Sequence, residues 1–316
     1  MKPAVAGLLL VYAAAVLAAG TRWLPRAEWP RWAPRLGIAA WLSGALSAVL
    51  AWAGAGVILA VPCAHLSADP AALRASLYFL RDQYASPAGA ATGTAGAVLT
   101  TMVLGRVAWF YGAAAATARR RRASHDDALV ILGRPGPATD VRIIDNHHPA
   151  VYCLPGRRRR IVLTTGALTR LDPAQLDAVL AHERAHLSER HHVVLRLAWV
   201  LARAFPRVRF FAVAARHVTY LVEVAADDAA VRRAPRLTLA AALLAVAASG
   251  APAGALGAGS AAAQRIERLI DPPRRVSMAR RAITAAVLAA AAALAITTFA
   301  IAFLTISHCP SELPLG

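Results

Sequence analysis

Two histidines and a glutamate stand close together in the segment His182-Glu183-Arg184-Ala185-His186. Residues four positions apart lie on one face of a helix, so the two imidazoles can point at one metal ion. Glu183 stands beside them, where its carboxylate can activate a water molecule on that metal. This spacing predicts the site of a zinc metalloendopeptidase with one Zn²⁺ ion, in which Glu183 takes a proton and passes it to the leaving amine.

A catalytic zinc ion takes a third protein ligand and keeps its fourth position open. His192 stands six residues after His186, a spacing that some metallopeptidases use, but those enzymes have a turn-making glycine where this chain has Glu189. Without that glycine we expect the helix to continue, so that His192 faces elsewhere. Glu223 is the better candidate, and Asp227, one helical turn later, is placed to accept a hydrogen bond from a ligand imidazole. The alternative for this acidic pair is a solvated patch.

The helix that carries the motif has a well-marked start. Asp172 fits the N-cap, Pro173 the first helical position and Gln175 the capping-box position. We expect the helix to run from there to about Val200. Ahead of it, short runs rich in β-branched residues are separated by turn-forming residues, which predicts the strands of a small sheet. These runs are 128–132, 140–145, 150–154 and 160–165.

The composition indicates a membrane protein. Of the 316 residues 58% are hydrophobic and only 16% are charged, which is too apolar for an ordinary soluble domain. The net charge of +18 would also suit a nucleic-acid-binding protein, but the arginines cluster beside apolar runs and no recognition motif accompanies them, so no direct nucleic-acid binding is expected. Four segments are long enough to span a bilayer: 3–20, 37–61, 94–118 and 282–306.

The charge bias of the loops favours one topology. The arginine-rich loop 21–35 and the run Arg119–Arg122 both belong on the cytoplasmic side. The chain is therefore predicted to be an α+β, multi-pass protein of the cell membrane with both termini outside. Residues 1–118 would hold three transmembrane helices, 119–281 a cytoplasmic zincin-like metallopeptidase domain, and 282–316 a fourth transmembrane helix and a short extracellular tail.

Three further residues have a predicted place in this topology. Cys63 and Cys309 would both lie on the outer face, where a disulfide is possible, and two unpaired thiols are the alternative. Arg106 falls inside the third predicted span, and an intramembrane arginine usually faces a bundle interior or a wet cavity. We expect it to make a structural contact.

The HExxH segment at 182–186 followed by ExxxD at 223–227 resembles the gluzincin pattern of CAAX prenyl-protease, HtpX-type and BlaR/MecR-type membrane peptidases. The resemblance extends over about residues 150–272, where Gln264–Ile270 is similar to the "RI-RL" segment of those proteins. Three spans before the motif and one after it match the BlaR/MecR layout. The sequence ends nine residues after Ser307, whereas BlaR-type sensors continue into an extracellular penicillin-binding domain, so direct β-lactam sensing is not expected.

This resemblance implies an integral membrane zinc endopeptidase that binds zinc through His182, His186 and Glu223 and acts on a protein or peptide substrate. It further implies regulatory proteolysis and signal transduction, with a transcriptional repressor as the partner. HtpX-like quality control of membrane proteins is the alternative. A non-catalytic, zinc-stabilised signal transducer is a third hypothesis, which the presence of Glu183 disfavours because a structural zinc site needs no base.

The resemblance also implies how a substrate is held. In such peptidases an extended peptide adds to an exposed sheet edge. Residues 159–165 are the candidate edge strand, although an internal strand fits the sequence equally well. His217 and Tyr220 are candidates for stabilising the oxyanion.

Overall fold

The computed structural model describes residues 2–61, 70–156, 159–247 and 256–272, together with a few isolated positions between 282 and 300. Apart from those positions, the predicted fourth span lies outside the described residues, and so do Cys63 and Cys309. The described part is mostly helical and includes one four-stranded sheet, which agrees with the α+β class.

Three long helices are apolar enough to cross a membrane by length and composition. They contain the first three predicted spans, and a short helix precedes the third. The long helices are α1 (Lys2–Trp23), α2 (Pro34–Ala60) and α4 (Pro87–Leu132), and the short one is α3 (Pro70–Ala85). Two single-turn 3-10 helices, Leu24–Arg26 and Trp29–Arg31, join α1 to α2.

The helices α2 and α4 approach each other closely at a pair of glycines. A Cβ atom on Gly56 would lie 2.7 Å from the carbonyl oxygen of Gly96, and a Cβ on Gly96 would lie 2.6 Å from the Cβ of Leu59. Small residues at such a crossing let two backbones pack directly against each other, as in many membrane helix pairs. A hydrogen bond also joins the two helices at this crossing, because the hydroxyl of Thr100 on α4 donates to the carbonyl of Ala53 on α2 at 3.3 Å.

A four-stranded sheet precedes the helix that carries the motif. Its strands are β1 (Arg134–Pro135), β2 (Val141–Ile144), β3 (Val151–Leu154) and β4 (Arg160–Thr164). Their order is β1-β2-β4-β3, with β2 and β4 parallel and the other pairs antiparallel.

Two strand predictions need correction. The strand β4 is internal, so residues 159–165 are not the edge, and β3 takes that position. The reason is visible in the strand itself, because Ile161, Val162 and Leu163 are all buried and an apolar run without alternation is typical of an internal strand. Residues 128–132 are the last turn of α4 and not a strand, since Gly133 is the first residue that ends the helix.

The motif helix begins as predicted and ends earlier than predicted. In α6 (Pro173–Ser188) the Asp172 carboxylate accepts from the Gln175 amide at 2.8 Å, and the Gln175 side chain accepts from the Asp172 amide at 3.2 Å. The predicted end at Val200 is wrong. Arg190 takes a left-handed conformation with φ 54, and a new helix, α7 (His191–Ala204), starts immediately after it.

The break at Arg190 allows α7 to run back along the long helices. A hairpin of α7 and α8 (Arg209–Ala230) packs against α2, where Trp52 contacts the ring of Phe205 at 5.3 Å and Trp41 contacts Phe210 at 5.4 Å. The buried face of α8 thereby joins the same apolar core as α1 and α2. The remaining described helices are α5 (Thr165–Arg170), α9 (Arg236–Ala247) and α10 (Leu256–Ile270).

Candidate metal centre

Two packed helices, α6 and α8, bring together the three predicted ligands. The Nε2 atoms of His182 and His186 are 3.1 Å apart, and each lies 3.6 Å from one carboxylate oxygen of Glu223. All three ligand atoms lie within 4.8 Å of one another. Donor atoms bound at about 2.0–2.2 Å to one tetrahedral ion stand roughly 3.3–3.6 Å apart. Two imidazoles and a carboxylate at these separations therefore fit a zinc ion.

Asp227 lies behind the first histidine, as the sequence predicts. Its Oδ1 is 3.0 Å from Nδ1 of His182, and the residue is buried. The contact is a charged one between the carboxylate and the outer ring nitrogen of His182. A carboxylate at this position holds the ring so that Nε2 faces the metal position.

Arg265 on α10 holds both acidic residues of α8 and was not among the predicted site residues. It donates two hydrogen bonds to the Asp227 carboxylate at 2.8 and 2.7 Å, and its Nη1 is 2.9 Å from Glu223. The neighbouring Arg268 pairs with Asp228 at 2.8 Å in the same way. The resemblance of segment 264–270 to known membrane peptidases singled out this segment, but the sequence did not predict which residues its arginines contact.

The surroundings separate the protonation states of the ligands. Burial opposes the charge on His182, but the carboxylates of Asp227 and Glu223 outweigh it and raise the pKa of His182 to about 9. Burial lowers the pKa of His186 to about 4. Burial also opposes ionisation of Glu223, yet His182 and Arg265 hold its pKa at about 2. Glu223 is thus ionised and His186 neutral at neutral pH, as metal ligands must be, whereas His182 has to release a proton when it binds a metal.

Glu183 is half-buried next to the edge strand β3. Burial raises the pKa of its carboxyl above the usual value, and the side chain of Cys153 on β3 lies against this carboxyl. Burial and the nearby Glu183 raise the pKa of Cys153 to about 12, so this thiol stays protonated. A carboxylate whose pKa is shifted upward is a more effective general base near neutral pH than an ordinary one.

His191 is a further residue of the site that the sequence did not reveal. Its Nδ1 is 3.0 Å from Nδ1 of His186, and its Nε2 is 3.4 Å from the Glu189 carboxylate. Glu189 in turn accepts two hydrogen bonds from Arg35 at the start of α2, one of them at 2.9 Å from Nε. The left-handed backbone at Arg190 turns the chain so that His191 lies next to His186. Arginine does not favour this conformation, so the sequence did not predict the turn.

The remaining candidates lie away from the three ligands. His192 borders a cavity on the outer side of α7, together with Arg122 and Arg159. His217 stacks on Trp41 at 5.1 Å and, with Tyr220, lines a cavity of about 370 Å³ next to the connection between α1 and α2. The predicted role of His217 and Tyr220 at the oxyanion stays a prediction.

Comparison with known proteins points to the same chemistry. Residues 115–268 match the family model for Peptidase family M48, whose members are zinc-dependent. A stretch of 78 residues is 37% identical to "Protease HtpX homolog 2" of Methanosarcina mazei and covers 23% of this chain and 26% of that protein. The chain thus matches about a quarter of the length of this relative. No solved structure matches. These similarities and the apolar helices support a membrane-type metallopeptidase.

Proposed function

We propose that this chain is a membrane-bound zinc endopeptidase in which His182, His186 and Glu223 hold the metal and Glu183 is the general base. The observation that carries the proposal is the convergence of three ligand atoms from α6 and α8 within 4.8 Å, beside the half-buried carboxylate of Glu183, which is not itself a ligand. A structural zinc site would more often be closed by a fourth protein ligand.

The protein residues divide the chemistry between them. Zinc, when bound, supplies Lewis-acid chemistry that acidifies water and polarises the scissile carbonyl. Glu183 takes the proton from the attacking water and delivers it to the leaving amine. Asp227 and His191 hold the outer nitrogens of the two ligand imidazoles, and Arg265 keeps Glu223 and Asp227 in place.

The strand β3 is the proposed docking edge for a substrate. Within the described residues, β3 pairs with β4 on one side, and no strand pairs with its other side. Cys153 on this strand contacts Glu183, which places the edge directly beside the base. A peptide that adds to β3 through backbone hydrogen bonds would therefore pass the metal centre with little demand on its sequence.

Purified full-length protein tests this function. Glu183→Gln should retain zinc, measured by elemental analysis, and lose cleavage of an unfolded protein substrate. Glu223→Ala should lose zinc, whereas Glu267→Gln, exposed on α10, serves as a matched control that keeps both. Cleavage by Glu183→Gln at the wild-type rate would refute the proposed base, and undiminished zinc binding by Glu223→Ala would remove that residue from the ligand set.

Two physiological roles fit this activity. The resemblance to BlaR/MecR-type peptidases supports regulatory cleavage of one repressor-like partner, while the similarity to an HtpX homologue supports quality control of membrane proteins. We propose the regulatory role, with the catalytic side facing the cytoplasm. Mass spectrometry of new N-termini in cells with the wild-type protein or Glu183→Gln distinguishes the roles, because regulation yields one or a few cleaved proteins and quality control yields many.

A further inference from the structure

The α7–α8 hairpin lies deep along the long apolar helices. Phe205, just after α7, packs on Trp52, which is about 18 residues or roughly 27 Å along α2 from Pro34. Arg106 of α4 donates to the carbonyl of Ala204 at 2.7 Å, and Arg106 lies roughly 20 Å of helix before Arg119. The hydrocarbon core of a bilayer is about 30 Å thick. The tip of the hairpin therefore lies inside the membrane region that α2 and α4 span.

Arg106 has a protein partner at this depth. Ala204 is the last residue of α7, so the guanidinium meets the negative end of the helix dipole and one of its unpaired carbonyl groups. This is the structural contact expected for Arg106.

Three other arginines border the same interface, and in the part of the chain that the structure describes none of them forms an ion pair. Arg196 and Arg203 stand two helical turns apart on α7, and with Arg121 of α4 they line a groove of about 420 Å³ between the two helices. The rest of the lining is apolar or small and includes Phe110, Trp199 and the buried Val200. Trp199 is 47% exposed, so the groove opens sideways towards the lipid.

The parts of α4 and α7 that line the groove carry no carboxylate. There is no Asp or Glu between residues 83 and 125, between 190 and 222, or in the predicted fourth span 282–306. Among the described residues, none of the ion pairs involves Arg121, Arg196 or Arg203. Arg196 and Arg203 stand on the hairpin that lies along the membrane helices, and unpaired arginines at membrane depth are costly. A negative group from outside the protein would therefore stabilise them.

We propose that this groove binds an anionic phospholipid. The guanidinium groups of Arg121, Arg196 and Arg203 line one groove and match a phosphate in charge, and arginine pairs with phosphate through paired hydrogen bonds. Phe110 and Trp199 give the groove an apolar surface for an acyl chain, and a free anion would not contact that surface. Arg121 lies in the basic run that the charge bias places on the cytoplasmic side, where anionic lipids attract basic segments.

Native mass spectrometry of the full-length protein in detergent tests the proposal. Phosphatidylglycerol should remain bound in preference to phosphatidylcholine of the same chain length. Arg196→Gln/Arg203→Gln should lower that retention about tenfold or more, because two charge-assisted hydrogen bonds are lost. The control, Arg232→Gln/Arg233→Gln, removes the same charge from exposed positions after α8 and should bind as the wild type does.

Equal retention of the two lipids, or unchanged phosphatidylglycerol binding by Arg196→Gln/Arg203→Gln, would overturn the proposal. Displacement of the lipid by inorganic phosphate alone would assign the groove to a free anion, and an acidic protein recovered in its place would assign it to a protein partner. If the double variant does not fold, Arg121→Gln, exposed on α4, gives the same test with one substitution. The lipid-binding measurement does not depend on peptidase activity, because Glu183→Gln should bind phosphatidylglycerol as the wild type does.

Discussion

The Nδ1 atoms of His186 and His191 are 3.0 Å apart, so one of the two rings donates a hydrogen bond to the other. If Nε2 of His186 holds the metal, its Nδ1 carries the hydrogen and donates to His191. The Nε2 of His191 then carries a hydrogen that faces Glu189 at 3.4 Å. A ligand imidazole is thus oriented by a residue that begins the next helix.

Replacing His191 should weaken metal binding. Residues that orient a ligand imidazole typically contribute 10–100-fold to metal affinity, so His191→Ala should raise the zinc dissociation constant by about that factor. A competing chelator measures the constant. His192→Ala is the matched control, since His192 borders a separate cavity. Equal zinc affinity of the two variants would contradict the orienting role.

The contact between Arg35 and Glu189 should make a small contribution to zinc binding, because Glu189 contacts His191 and His191 contacts the ligand His186. Arg35 has 53% of its side chain exposed, and exposed ion pairs contribute about 0.2–1 kcal/mol. Arg35→Ala and Glu189→Ala should each speed zinc loss to a chelator by about two- to fivefold. The double variant should be no worse than Glu189→Ala, because Arg35 acts through Glu189. Fully additive effects of the two substitutions on zinc loss would show that Arg35 does not act through Glu189. Arg22→Ala on α1 is the control and should lose zinc at the wild-type rate.

Asp140 should contribute to stability in a pH-dependent way. It accepts hydrogen bonds from Arg184 of α6 at 2.9 and 3.0 Å, and Arg184 lowers the pKa of this carboxyl. A folded-state pKa below the unfolded value of 3.8 gives stability that is present above pH 3.8 and lost as the pH falls through the folded pKa. The contribution is below about 1 kcal/mol, since the pair is partly exposed.

Asp140→Asn should accordingly lower the thermal midpoint at pH 7 and lower it less at pH 3, which is below the unfolded pKa of 3.8. The measurement uses zinc-free protein, so that loss of metal in acid does not contribute. Asp271→Asn, at the exposed end of α10, should leave the midpoint unchanged at both pH values. A difference between wild type and Asp140→Asn that is as large at pH 3 as at pH 7 would rule out the ion pair as its source.

The crossing of α2 and α4 should not tolerate a large side chain. A Cβ on Gly56 already approaches the Gly96 carbonyl to 2.7 Å, so Gly56→Leu must separate the two helices. We expect a thermal midpoint in detergent lower by several degrees and a reduced yield of folded protein. Gly105→Leu adds the same side chain to α4 where nothing lies within 4 Å and should behave as the wild type does. Similar behaviour of both variants would exclude a tight crossing.

Local signals in the sequence predicted the parts of the fold that depend on neighbouring residues. Asp172, Pro173 and Gln175 specify the start of α6 because capping involves only residues within one turn. The spacing of His182 and His186 places both on one helix face for the same reason. Glu223 was predicted as a ligand because catalytic zinc needs a third protein ligand and because of the ExxxD spacing. The structure places it next to the two histidines.

The features that were missed depend on contacts between distant segments. Arg190 adopts a left-handed turn that its residue type does not favour, and the packing of α7 against α2 and α4 accompanies it. Which strand forms the sheet edge follows from the pairing of β2 with β4, which no single strand specifies. The bond from Arg265 to Asp227 joins residues 38 positions apart, and a lone arginine in sequence does not name its partner.

Helix α8 carries Glu223 near one end, while Phe210 and Phe211 near the other end are buried in the core shared with α1 and α2. The ligand-bearing helix and the membrane helices therefore form a single folding unit. A fragment that lacked α1 and α2 would expose the apolar face of α8 to water and would leave Glu189 without Arg35. The metal centre cannot be released by trimming the chain to a soluble piece, so biochemical work on it requires detergent or lipid throughout.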